Sequence, residues 1–180
     1  MLRKENSLVI VVDVQERLVP AIKSTPDFLK HVTRTLQGIQ ILGLPVVVTE
    51  QYPKGLKHTL PEVSALIDPI AVIEKTKFSI VVPELKALLR QRPAIHNLII
   101  IGAETHVCVL QSVLEALDMG YNVYVPNDVV GSRTVENHLN GLDQMRFSGA
   151  IITNMESVLF QLLADAKHPA FKQISALIKS

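Results

Sequence analysis

The chain has no tryptophan, one cysteine and few aromatic residues of any kind, 4% in all. A single cysteine permits no internal disulfide, so packing must hold the fold, which suits a reducing compartment. Without large rings the core has to be aliphatic, and 48% hydrophobic residues over 180 positions suffice to build one. Charge of one sign is missing too. Lysine and arginine number 18 against 17 acidic residues, with no basic cluster. That balance argues against nucleic acid or an anionic membrane surface as the main partner. The first apolar run, residues 8–12, is too short for a membrane span and is interrupted by Asp13. No signal-type cleavage pattern precedes it. These absences predict a cytoplasmic protein forming a single domain over residues 1–180, with no nucleic-acid and no membrane partner.

What the chain does have is alternation. Residues 8–14, 46–49, 71–73, 98–101, 122–125 and 150–153 read as six short, apolar strands. Runs without polar alternation suit strands covered on both faces, as in parallel sheets. Helical stripes lie between them. Phe28, Leu29, Val32, Leu36, Ile39 and Leu42 form one that stops at Gly43. Pro83 can start another through Leu89, and Val109, Val113, Leu114 and Leu117 form a third. Helices are also expected over 134–147, 156–164 and 171–178, and a loop over 50–55. The predicted fold is α/β, a three-layer α/β/α arrangement around a six-stranded, mainly parallel sheet of Rossmann-like type.

Ligands of such sheets bind beyond the carboxyl ends of the strands. The polar residues expected there are Asp13 and Gln15; Glu50, Gln51 and Tyr52; Lys75; Glu104, Thr105, His106 and Cys108; and Asn127 and Asp128. Cys108, the only cysteine, follows a strand-to-helix turn. In the first turn of a helix, unpaired N–H groups and the macrodipole favour a thiolate. A lone cysteine can equally fill space in a core. Asp13 at the end of a buried strand needs a partner. A carboxylate can serve a thiol as base, and a lysine beside both would restrain the one and favour ionisation of the other. From spacing alone, an ion pair closing the top of the sheet accounts for Asp13 and Lys75 as well as a nucleophilic site does.

Five segments together carry a resemblance. They are V-V-D-V-Q-E-R-L at 11–18, V-T-E-Q-Y-P-K-G-L at 48–56, E-K-T-K-F-S at 74–79, I-I-I-G-A-E-T-H-V-C-V at 99–109 and P-N-D-V-V-G-S-R at 126–133. In this order the chain resembles the isochorismatase-like hydrolases, which include nicotinamidases and N-carbamoylsarcosine amidase. It is most similar to the isochorismatase-domain branch of undefined substrate. The resemblance implies an isochorismatase-like hydrolase fold and a catalytic triad falling on Asp13, Lys75 and Cys108. It implies a cis peptide at Ala103-Glu104, with the backbone N–H groups of Glu104 and Cys108 as oxyanion hole. It also implies a small-molecule substrate and a homo-oligomer. The activity it implies is cysteine-dependent hydrolysis of a small amide or related carbonyl compound through a thioester, at C–N bonds other than peptide bonds. Gln15, Gln51, Tyr52, Thr105 and His106 are the candidates for binding the substrate.

The chain departs from the metal-dependent nicotinamidases, whose Asp-x-His pair is missing after the second strand; the region reads E-Q-Y-P-K-G-L-K-H. His58 alone makes no metal site, so no metal and no other cofactor is expected. His31, His96, His138 and His168 read as surface residues. True isochorismatases, which cleave a vinyl ether, lack the cysteine, so Cys108 points to acyl chemistry. Nicotinamidase activity and a non-catalytic binding or scaffold role on the same fold are the two alternatives.

Overall fold

The computed structural model describes residues 1–179. Its sheet runs in the order β3 (Ala71–Lys75), β2 (Val46–Gln51), β1 (Ser7–Val12), β4 (Asn97–Ala103), β5 (Asn122–Pro126), β7 (Ile151–Thr153). Every pairing is parallel. A seventh strand, β6 (Val130–Gly131), pairs with β4 beyond the end of β5, so the expected six strands become seven. Two residues in a turn-rich stretch carry no periodicity from which to read a strand.

The central strands β1 and β4 are buried from end to end, and β1 shows why. Val9 and Val11 face one helical layer; Leu8, Ile10 and Val12 face the other. The first layer holds α1 (Phe28–Leu42) with α7 (Met155–Leu163) and α8 (Phe171–Lys179), through Leu36, Leu159 and Ile174. The second holds α4 (Pro83–Arg90), α5 (Leu110–Asp118) and α6 (Val135–Phe147), through Leu85, Val113 and Met145. Between β2 and β3 lie two single turns, α2 (Pro53–Leu56) and α3 (Pro61–Ser64), in a stretch read partly as loop. Among the described residues no helix is long and apolar enough to cross a membrane.

Two glycines shape the frame. Gly43 closes α1 in the left-handed conformation, φ 68°. Gly102 lies within β4, which runs on to Ala103, past the expected end at residue 101. Its φ is 121°, and a Cβ there would stand 2.0 Å from the carbonyl oxygen of Val12. Only glycine lets β4 come this close to β1, which brings the segments after both strands together.

Candidate active site

The strand order reverses between β1 and β4, and the polar residues gather just beyond those two strand ends. Asp13 follows β1 with φ 52°, a conformation that aspartate tolerates better than most residues, and it is fully buried. Its Oδ1 accepts the Thr49 hydroxyl at 2.7 Å, and its Oδ2 accepts the Lys75 ammonium at 2.7 Å. Lys75 ends β3, two strands away, so two strand spacings of ~4.8 Å separate the backbones. The register pairs Lys75 with Gln51, and the lysine stem crosses the end of β2 to reach Asp13. The ammonium gives its other two donors to Gln51 Oε1 at 2.8 Å and to the Phe78 carbonyl at 2.9 Å. With three donors and three acceptors, Lys75 is saturated.

On the other side of Asp13, the peptide between Ala103 and Glu104 is cis. A π-helical turn, Thr105–Val109, then leads into α5; the Val109 N–H reaches back five residues to the Glu104 carbonyl at 3.1 Å. Cys108 sits in this turn, buried beside Asp13. Burial first, and then the negative charge of Asp13 and a hydrogen bond to it, push the thiol up to about 12. The charge of Lys75 and the backbone N–H of Glu104 oppose this and lose. The group at rest is therefore a thiol. The thiolate that a helix N-terminus favours does not form here, because desolvation beside a carboxylate outweighs the turn and the lysine.

The residues read as substrate contacts divide. Gln15 is fully buried and committed: its amide donates to the carbonyls of Gln51 at 3.0 Å and Lys57 at 2.6 Å, and accepts the Gln51 N–H at 2.7 Å. It staples the loop after β2. Gln51 holds Lys75 and donates to the Thr76 carbonyl at 2.9 Å. Thr105 is buried against His138, 2.9 Å from hydroxyl to Nδ1. In the structure all three have partners within the frame. His106 uses Nδ1 on the Ser132 hydroxyl at 2.9 Å and is half-buried. Tyr52 is half-exposed and walls a cavity of about 360 Å³ with Pro53, Lys54, Glu74, Lys75 and Thr76. That cavity reaches the cluster through Lys75; Cys108 is not in its wall.

Other groups have partners that the sequence does not show. Thr49, in the second strand, donates its hydroxyl to Asp13. Glu104 pairs with Arg133 at 3.0 Å. His138, taken for a surface residue, is buried on α6, and burial holds its ring below the usual histidine range. Asp128 behaves as a capping turn, accepting the Met155 N–H at 2.8 Å. Glu50 holds His58 at 2.9 Å and the Thr59 N–H at 2.7 Å. Burial alone would raise the Glu50 carboxyl, but the bonds from Thr59 and His58 outweigh it and hold it low, while the same pairing raises His58. Among the described residues no three His, Cys, Asp or Glu side chains cluster as a metal would require.

Sequence and structure comparisons identify the family. The Isochorismatase domain family matches residues 7–157. The chain belongs to the isochorismatase-like hydrolases. It is 46% identical over 167 residues to isochorismatase domain-containing protein 1 of Danio rerio, covering 93% of this chain but only 59% of that protein's length. It is 39% identical to isochorismatase domain-containing protein 2 of Xenopus laevis, covering 98% of this chain and 85% of that one. A solved structure described as MAR1 ribonuclease from Caenorhabditis elegans superimposes with a TM-score of 0.93 at 36% identity, covering 99% of this chain and 92% of the other.

Proposed function

We propose that this isochorismatase-like chain is a cysteine-dependent hydrolase of a small amide or related carbonyl compound, acting at C–N bonds other than peptide bonds. The observation that carries the reading is the Asp13 carboxylate, which lies between the Lys75 ammonium and the Cys108 thiol. A carboxylate held by a saturated lysine has one role left toward a neighbouring thiol, that of base.

In this reading Asp13 takes the Cys108 proton as Sγ bonds to the substrate carbonyl carbon. The carbonyl electrons move to oxygen, and the backbone N–H groups of Glu104 and Cys108 stabilise that oxyanion. The tetrahedral adduct collapses with cleavage of the C–N bond. Asp13 passes its proton to the leaving amine, and a thioester remains on Cys108. Asp13 then deprotonates water, which attacks the thioester; the C–S bond breaks and the proton returns to sulfur. Lys75 holds Asp13 in place. Because the thiol rests protonated, proton transfer and attack are coupled, and a free thiolate is never stored.

The enclosed thiol supports a small substrate. Tyr52 and His106 are the sequence-read contacts whose polar ends are not wholly spent on the frame. The lone cysteine supports a reducing, cytoplasmic setting. The apolar residues Val135, Leu139 and Phe147, exposed along α6, support a homo-oligomer. Nicotinamidase is the narrower alternative, and nicotinamide belongs in the substrate panel. The name of the C. elegans structure raises RNA as another; the near-zero net charge favours the small neutral compound. The test is turnover of a panel of small amides, with single-stranded RNA alongside. Release of amine that depends on Cys108 supports the proposal. RNA cleavage with no amide turnover would replace it, and neither activity would favour a binding role.

A further inference from the structure

We propose that Ser112 is a positioning residue that ties the nucleophile turn to the loop holding Lys75, so that thiol and ammonium keep a fixed relation across the sheet. This rests on the reading of Asp13, Lys75 and Cys108 given above.

Ser112 lies in the first turn of α5 and is fully buried. Its hydroxyl donates to the Cys108 carbonyl four residues back, and its oxygen accepts the Ile80 N–H at 3.0 Å. Ile80, also fully buried, belongs to the loop between β3 and α4. Earlier in that loop, the Phe78 carbonyl accepts the Lys75 ammonium. The links close a ring from Asp13 to Lys75, through Phe78 and Ile80 to Ser112, and through Cys108 back to Asp13. The same helix grips the loop again through Glu115, which pairs with Lys77 at 2.7 Å.

Helix propensity does not explain the serine. Alanine is the better helix former, and a hydroxyl bonded to its own i−4 carbonyl slightly weakens a helix. What the hydroxyl supplies is an acceptor for a buried N–H that would otherwise have none. Without it the loop is free to shift, and Lys75 loses one of its three fixed acceptors.

The test is the pH profile of Cys108 alkylation by iodoacetamide, measured beside thermal melting, for the wild type, Ser112→Ala, Ser112→Thr and Asp13→Asn. The wild-type midpoint should lie well above that of a free thiol. Ser112→Ala should lower it by about one pH unit or more, because a loosened ring admits water and weakens the carboxylate's hold on the proton. Ser112→Thr, which keeps the hydroxyl, should retain the wild-type profile. An alanine variant that melts lower but keeps the wild-type midpoint would show a merely structural serine and overturn the proposal. Should that variant not fold, amide exchange in the wild type decides: Ile80 should be protected like the sheet, and exchange at the rate of an exposed loop would overturn it. Asp13→Asn tests the parent reading separately. An unchanged midpoint there removes the triad, whatever Ser112 does.

Discussion

Lys75 and Asp13 meet at 2.7 Å although β2 lies between their strands, and neither side chain is exposed to solvent. The contact fixes the lysine's role. With Asp13, Gln51 and Phe78 as acceptors the ammonium has no donor to spare for a further partner.

Removing one member of this pair leaves a buried charge without a partner. Lys75→Met should therefore destabilise the fold by about 3–5 kcal/mol, measured by urea denaturation. The double variant Asp13→Asn with Lys75→Met, which is neutral at both positions, should recover a large part of that loss. A double variant as unstable as the single one would mean that the lysine contributes packing and not charge balance.

The raised thiol gives a pH dependence with a definite sign. Between the ordinary thiol range and about 12, the unfolded chain has released the Cys108 proton while the folded chain still holds it. Stability contributed by this group is thus fully present below the ordinary range and falls as pH rises through that window. Denaturation of the wild type against Cys108→Ala at pH 8, 9 and 10 should show the difference between them shrinking with rising pH. A constant difference would place the thiol at its ordinary value.

His138 works in the opposite direction. Burial lowers its pKa, so the unfolded chain takes up a proton at a higher pH than the folded chain does. Its contribution is present above the usual histidine value and is lost as pH falls below it. Melting temperature should drop between pH 7.5 and 5.0, and the drop should be smaller in His138→Gln, which keeps a partner for Thr105. An identical drop in the variant would assign the acid sensitivity to other groups.

Gly102→Ala should yield little or no soluble protein. The new Cβ would meet the Val12 carbonyl at 2.0 Å, with a backbone φ that alanine disfavours, and neither strand can retreat without parting the sheet at the site. Expression at wild-type yield and melting temperature would show that β1 and β4 are less tightly apposed.

The strands were legible because their β-branched runs are local, and strand ends with Asp13, Lys75 and Cys108 stood out as polar residues after apolar runs. What was not legible depends on distant partners. Gln15, Gln51 and Thr105 looked available because a sequence does not say which partner a polar side chain will meet; folding brings carbonyls to the two amides and the His138 ring to the Thr105 hydroxyl. Gly102 reads as a stop by composition, while its real reason is the backbone of another strand. His138 looked like a surface residue because the α6 face pressed on the turn that holds Cys108 is coded by small and polar residues. Gly141 is part of that face, where a Cβ would stand 3.0 Å from the Thr105 carbonyl oxygen. The resting thiol went unread because burial and Asp13, both tertiary, outweigh the local helix turn.

The most direct measurement is mass analysis of protein quenched during turnover of an active amide, followed by peptide mapping. An acyl adduct is expected on the peptide containing Cys108, lost in Cys108→Ala together with all turnover and strongly reduced in Asp13→Asn. Amide hydrolysis that survives Cys108→Ala, or an acyl adduct on any other residue, would contradict it.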